Sequence, residues 1–275
     1  MAISAISFGT MPIFARIAYA AGANPVTVLF LRFTIAGIVM LVITKAQRIS
    51  LPRGRTLLSL IFMGSVLYVG QSLTYFTALT MASAGLVSLL LYLYPAILTL
   101  LLAIFDRSQL SARNVKAIAI ALLGTALTVE LGGGSNVLGV MLAVCSAFIY
   151  AVYILIGDRI MQEVGAYAST TVIIISAALV YSGIAAVTGV ALPTTELGWA
   201  AIFANAIITA VVAILSFFAG LERIGPINAA TISALAPVVT VILAALVLGD
   251  TFTPIQLLGG TLILGAVTVL VRKET

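Results

Sequence analysis

The sequence predicts an all-α integral membrane protein of ten transmembrane helices, arranged as two inverted five-helix repeats around a central cavity. Three observations lead there. Hydrophobic residues make up 63% of the 275 positions and charged residues 8%, with a mean hydropathy of +1.28, whereas ordinary soluble domains are about 25% charged. Apolar runs of about 20 residues, the length an α-helix needs to cross roughly 30 Å of hydrocarbon, recur along the whole chain. A proline sits in the middle of such a run twice, at Pro95 in Ser83 to Phe105 and 142 positions later at Pro237 in Pro226 to Leu248. In a soluble helix that proline would cost about 3 kcal/mol, while in a membrane bundle neighbouring helices can satisfy the freed carbonyl.

Taken in order, the first span is Ala2 to Ala21, with Pro12 and Arg16 inside it. Ala18-Tyr19-Ala20 resembles a signal-peptidase site, but no basic segment precedes it and Arg16 would interrupt the apolar region, so the helix is expected to be retained. Asn24-Pro25 makes a tight break before the second span, Val26 to Thr44, and the polar segment Lys45 to Arg55 follows. Leu57 to Leu79 is the third span and Ser83 to Phe105 the fourth. A fifth, begun near Ala112, runs to Val129. Gly132-Gly133-Gly134-Ser135 then separates the halves, giving repeats over residues 1–132 and 136–275. That glycine run is no phosphate loop, since neither a preceding strand nor a following Gly-Lys-Ser/Thr accompanies it. The second half contributes Val137 to Ile156, Ala166 to Val190, Gly198 to Gly220, Pro226 to Leu248 and Pro254 to Val271.

Charge placement tests this count independently. Lys45, Arg48, Arg53 and Arg55 follow span two; Arg107, Arg113 and Lys116 follow span four; Arg159, Arg223, and Arg272 with Lys273 follow spans six, eight and ten. Loops after odd-numbered spans carry no Lys or Arg, only Glu130, Glu196 and Asp250. The positive-inside rule therefore predicts cytoplasmic termini. Five helices per half is an odd number, so the halves must be inverted. At the 142-residue offset Phe76, Leu79, Leu93, Pro95, Leu101 and Ala103 match Phe218, Leu221, Leu235, Pro237, Leu243 and Ala245. Inverted halves of this kind are typical of secondary transporters, whose site lies near the midplane at the repeat interface.

Pro25, Leu31-Arg32-Phe33 with Ala36, Ala78-Leu79 leading into Ala84 and Pro95, and later Leu221, Ala236-Pro237 and Leu248-Gly249-Asp250 resemble the EamA repeats of the drug/metabolite transporter superfamily over nearly the whole chain. The resemblance implies ten helices, a bacterial inner-membrane location, and export of small metabolites, with amino acids a frequent substrate. Phe8, Arg16 and Asp250 stand where many relatives carry tryptophan, lysine and glutamate. The chain begins almost at span one, which leaves a short cytoplasmic leader open.

Polar residues within spans are the candidates for the site, because an intramembrane polar group usually faces the bundle interior or water. Tyr68, Gln71, Ser72 and Tyr75 share one helical face of span three, and Ser88, Tyr92, Pro95 and Thr99 one face of span four. Phenol and amide groups suit the ends of a zwitterion, while Met11 and Phe14 suit its side chain. The second half offers Ser146, Tyr150 and Tyr153 on span six, Asn205, Thr209 and Ser216 on span eight, and Asn228 and Ser233 on span nine. Asn228 could equally cap backbone amides near Pro226. The bland alternative for all of these is helix packing or an interfacial tyrosine belt. Pro12, Pro95 and Pro237 are the candidate helix breaks and gating points.

Arg16 and Arg32 each lie roughly 10 Å below the first outer loop at 1.5 Å per residue. They either attract a substrate carboxylate, or snorkel to headgroups and bind broken-helix carbonyls, the second being the default. All eight acidic residues fall at or near span ends, so no mid-membrane carboxylate can carry a proton or bind an organic cation. A neutral or zwitterionic solute moving down its gradient is the resulting expectation, with proton-coupled export of other metabolites or drugs as the alternative. A channel or purely structural membrane protein is a third reading. An intramembrane enzyme lacks an evident base, because the chain has no histidine and its lysines lie outside the spans. No cofactor or metal is expected. Cys145, alone in an apolar run, is expected to be a small buried side chain. Despite a pI of about 9.6, the cations sit in short segments between spans, which argues against nucleic acid. The expected partners are the bilayer and a small solute, and a monomer suffices, with oligomers left open.

Overall fold

In the computed structural model, residues 1–105, 112–128, 136–217 and 232–271 are described, and all regular structure among them is helical. The helices are α1 (Ala2–Ala20), α2 (Pro25–Ala46), α3 (Gly54–Ala78), α4 (Ala84–Leu91), α5 (Tyr94–Phe105), α6 (Ala112–Thr128), α7 (Val137–Val164), α8 (Ala166–Thr188), α9 (Glu196–Phe217), α10 (Leu235–Leu248) and α11 (Pro254–Val271). Helices α4 and α5 are the two parts of one crossing, so ten spans result. Seven of the spans are long and apolar enough to cross a bilayer alone, and α10 and α11 are shorter apolar helices. The tenth, α6, has 17 residues and carries Arg113 and Lys116 in its first turns.

Local chemistry sets most boundaries. Asn24 caps α2 by accepting from the Thr27 amide at 2.8 Å, with Pro25 supplying a first-turn residue that needs no hydrogen bond. Ser83 and Thr195 cap α4 and α9 in the same way. Helix α7 runs two turns beyond the expected end of span six, through Gly157, Asp158 and Arg159, because no proline intervenes before Gly165. Gly165, at φ +77°, alone joins α7 to α8.

Two of the backbone's irregularities repeat at the sequence offset, whereas a third π-helical stretch, Ala244–Leu248 in α10, has no counterpart in α5. A wide π-helical stretch, Met63–Tyr68, lies inside α3, and another, Asn205–Val212, inside α9, starting 142 positions later. The turn at Tyr92–Leu93 that divides α4 from α5 recurs at Ala234 before α10. Both breaks precede the prolines by two to three residues, so Pro95 and Pro237 stand in the first turn of the following helix rather than at the break itself. Pro12 differs from the sequence expectation: α1 stays helical through it. A proline inside a membrane helix deletes one N–H and shifts one carbonyl, and packing on both sides can hold the rest of the ladder.

Hydrogen bonds join several of the loops. The Thr194 amide and hydroxyl donate to Ala21 O at 2.8 and 3.0 Å, and the Ala191 amide to the Thr27 hydroxyl at 2.9 Å, joining the loops after spans one and seven. The Asn136 amide donates to Met81 O at 3.3 Å, joining the loop after span three to the start of α7. At the opposite end an Arg113 Nη2 donor reaches Val269 O at 3.1 Å. Among the described residues, loops after odd-numbered spans thus meet in pairs, and the basic start of α6 meets the end of α11. The core between the halves is closed by Leu29, Phe33, Met40, Leu79 and Leu90, all fully buried, while α6 and α11 pack chiefly on each other at the periphery. Cys145, expected inside, is exposed on α7. In a bilayer an outward thiol meets lipid rather than water, so hydropathy alone could not assign its direction.

Candidate functional site

The polar face of α3 forms as its spacing requires. Gln71, Ser72 and Tyr75 are all buried. Gln71 Nε2 donates to the Ser146 hydroxyl of α7 at 3.0 Å, and that hydroxyl donates back to Gln71 O at 3.1 Å. Ser72 Oγ lies 2.8 Å from the Tyr181 phenol of α8, which in turn donates to Val69 O at 3.0 Å. Both second-half partners are buried, so these contacts cross between the repeats without water.

A line of hydroxyls joins three further helices. Ser88 of α4 donates to the Thr240 hydroxyl of α10 at 3.2 Å, and Thr240 donates to Gly9 O of α1 at 2.8 Å. Gly9 makes that last step possible. A Cβ there would come within 2.7 Å of both Ala236 O and Val239 Cβ, so only glycine lets α1 lie this close to α10.

Tyr92 acts on the other proline. Its phenol donates to Ser233 O at 2.8 Å. Ser233 is four residues before Pro237, and a proline has no N–H to offer the carbonyl four residues earlier. The tyrosine beside the break in the first half thus satisfies a carbonyl exposed by the proline of the second. From Tyr92 a chain of rings leads away: Tyr94 at 6.0 Å, Tyr150 at 4.8 Å from Tyr94, then Tyr153 at 6.0 Å, Tyr68 at 5.7 Å, Phe33 at 5.4 Å and Tyr181 at a further 5.4 Å. These are ordinary stacked and edge-on separations. The result is a continuous aromatic path with hydroxyls on most of its rings, touching both halves.

The two arginines differ. Arg16 is half-buried and donates from Nη1 to Leu79 O at 2.8 Å, a carbonyl just past the end of α3. This is the helix-end binding expected of it. Arg32 is 2% exposed and does not snorkel. Its guanidinium carbon lies 5.2 Å from the Phe33 ring centroid and 5.5 Å from that of Phe76, and its buried Nε has no hydrogen-bond partner among the described residues. Ring faces return only part of what burying a cation costs.

Of the remaining candidates, Met11 packs against the core, and Phe14 and Ser216 are half-buried. Asn228 lies outside the described residues. Sequence reasoning passed over Phe33, Tyr94, Tyr181 and Thr240 as site residues. Tyr181 and Thr240 were detectable as intramembrane polar groups, but each stands alone on its helix face, without the cluster that marked α3.

The model of the EamA-like transporter family matches residues 1–130 and 137–272. An uncharacterized transporter, YcbK, of Bacillus subtilis (strain 168) is 28% identical over 276 residues, covering 94% of this chain and 86% of that protein. A solved structure titled only as a crystal structure of a protein superposes with a TM-score of 0.71 at 22% identity, over 98% of this chain and 94% of the other, which speaks for the fold alone. Two family repeats, ten spans and a polar, aromatic contact zone between the halves agree, and the chain belongs to the EamA-like transporter family of multi-pass membrane proteins.

Proposed function

We propose that this transporter exports small zwitterionic metabolites, most readily amino acids with apolar or aromatic side chains, by alternating access and without obligatory proton exchange. The observation that carries the reading is Arg32, a cation buried to 2% exposure, with an unpartnered Nε and aromatic rings on its flanks. A buried charge without a counter-ion costs several kcal/mol, and a carboxylate brought by the solute would relieve that cost during passage. The path of phenols from Tyr92 to Tyr181 supplies acceptors for an ammonium group and apolar ring surface for a side chain. The eight acidic residues lie at or near span ends, which leaves no titrating carboxylate in mid-membrane to couple export to protons. The basic ends of the spans would face the cytoplasm of a bacterial inner membrane, putting Arg32 toward the exit side.

Counterflow into liposomes with purified protein tests this. Amino acids with apolar side chains should exchange, and the amines made from them by removing the carboxylate should not. Equal exchange of both would end the role given to Arg32. Concentrative uptake driven by a pH gradient alone would end the uniport-like reading.

A further inference from the structure

Away from the path between the halves, α6 and α11 leave a groove of about 600 Å³ on the outside of the bundle. Ala117 and Ile120 from α6 and Gly265 and Val269 from α11 form its walls, and Arg113 and Lys116 join them toward one end. The α6 positions are spaced 113, 116, 117 and 120, one helical face about 10 Å long. Ile120 is 41% exposed and Val269 37%, so the groove opens toward lipid. Its floor is open at Gly265, where a Cβ would meet nothing within 4 Å. No acidic residue lines it. Arg113 spends one donor on Val269 O, at 3.1 Å, which fixes its guanidinium at the groove mouth and leaves further N–H donors to a ligand.

We propose that this groove binds one anionic phospholipid, with its phosphate at Arg113 and Lys116 and one acyl chain lying over Gly265. Apolar walls of this depth suit an acyl chain rather than a water-soluble anion, and two cations at the membrane end of a groove between helices are what an acidic headgroup seeks. A second copy of the chain is a poorer occupant. A two-fold axis along the membrane normal would bring the cations of both copies to the same depth, where like charges repel. The leaflet is the cytoplasmic one if the basic ends face inward.

Native mass spectrometry of the detergent-purified protein, mixed with equal phosphatidylglycerol and phosphatidylcholine of the same acyl chains, provides the test. One phosphatidylglycerol should be retained with roughly thirty-fold preference, two cations each contributing about a fivefold factor. Arg113→Gln combined with Lys116→Gln should abolish the preference, and Lys116→Gln alone should reduce it if the double variant does not fold. Gly265→Phe should lower retention of both lipids while leaving the charges in place. Equal retention of the two lipids, a preference untouched by the charge variants, or a lipid-free dimer broken by Gly265→Phe would each overturn the proposal.

Discussion

The two halves share a backbone and differ in what they place on it. Carried across the 142-residue offset, the π-helical stretch of α3 falls on that of α9, and the turn at Tyr92 falls on the turn at Ala234. Over the same offset Tyr68, Gln71, Tyr92 and Tyr94 become Ala210, Ala213, Ala234 and Ala236, and Arg32 becomes Ile174. At these positions the second half answers with backbone or a small hydroxyl: Ala213 O accepts from Ser4 at 2.8 Å, Ser233 O from Tyr92, and Thr240 from Ser88, while its own phenols and Ser146 come from α7 and α8. Symmetry is kept in the places where helices bend and part, as alternating access by the proposed route would require. It is dropped in the side chains, which fits the proposed single solute site, one that needs its hydrogen bonds and charge once.

The sharpest way to break this asymmetry is to give the first half the residue of the second. Arg32→Ile removes the buried cation. Truncating one partner of a buried charged contact typically costs 2–5 kcal/mol or more, so flux of carboxylate-bearing solutes should fall by about a hundredfold or more. Thermal stability should hold or rise, since an unpaired charge has been replaced by apolar volume. A marked loss of stability with transport intact in the protein that inserts would make Arg32 a packing residue held by Phe33 and Phe76.

A smaller effect is expected at the link between the prolines. Tyr92→Phe removes the phenolic bond to Ser233 O, at a cost of about 0.5–1.5 kcal/mol and a fall in melting temperature of about 2–4 °C per kcal/mol for a chain of this size. Pro237→Ala returns an N–H four residues after Ser233. The double variant should therefore regain most of what Tyr92→Phe loses, a coupling that thermal unfolding of the four proteins measures. Strictly additive losses would mean that the two residues act separately.

Much of the fold was legible because membrane constraints are coarse. Apolar length, basic loops and a duplicated mid-run proline each depend on composition rather than on contacts, and among the described residues a helix lies within each expected span, α7 running past its expected end. The face of Gln71, Ser72 and Tyr75 was legible because three polar residues within two turns cannot all meet lipid. Direction was not legible for single residues. Cys145 looks outward and Thr240 inward, yet both stand in apolar runs, and only the neighbouring helices decide between them. Arg32 was legible as an intramembrane cation, but its confinement beneath Phe33 and Phe76 depends on α3 reaching across to α2. Nor could the bond from Tyr92 to Ser233 O be read, since it joins residues 141 apart and uses a backbone atom.

Gln71 should give the smallest effect and separates solute contact from packing on the shared face. Its side chain already has a partner, Ser146, and the return bond from Ser146 goes to the Gln71 backbone, which a substitution leaves in place. Gln71→Leu therefore loses one neutral hydrogen bond, worth about 0.5–1.5 kcal/mol. If the amide also meets solute, apparent affinity in counterflow should weaken roughly two- to tenfold. Ser146→Ala divides the two roles. In that background the amide has no hydroxyl to hold, so Gln71→Leu should change stability little, while any loss of affinity owed to solute contact should persist. Unchanged affinity in both backgrounds, with stability falling only where Ser146 is present, would assign the Gln71 face to packing between the halves and leave the solute to the rings alone.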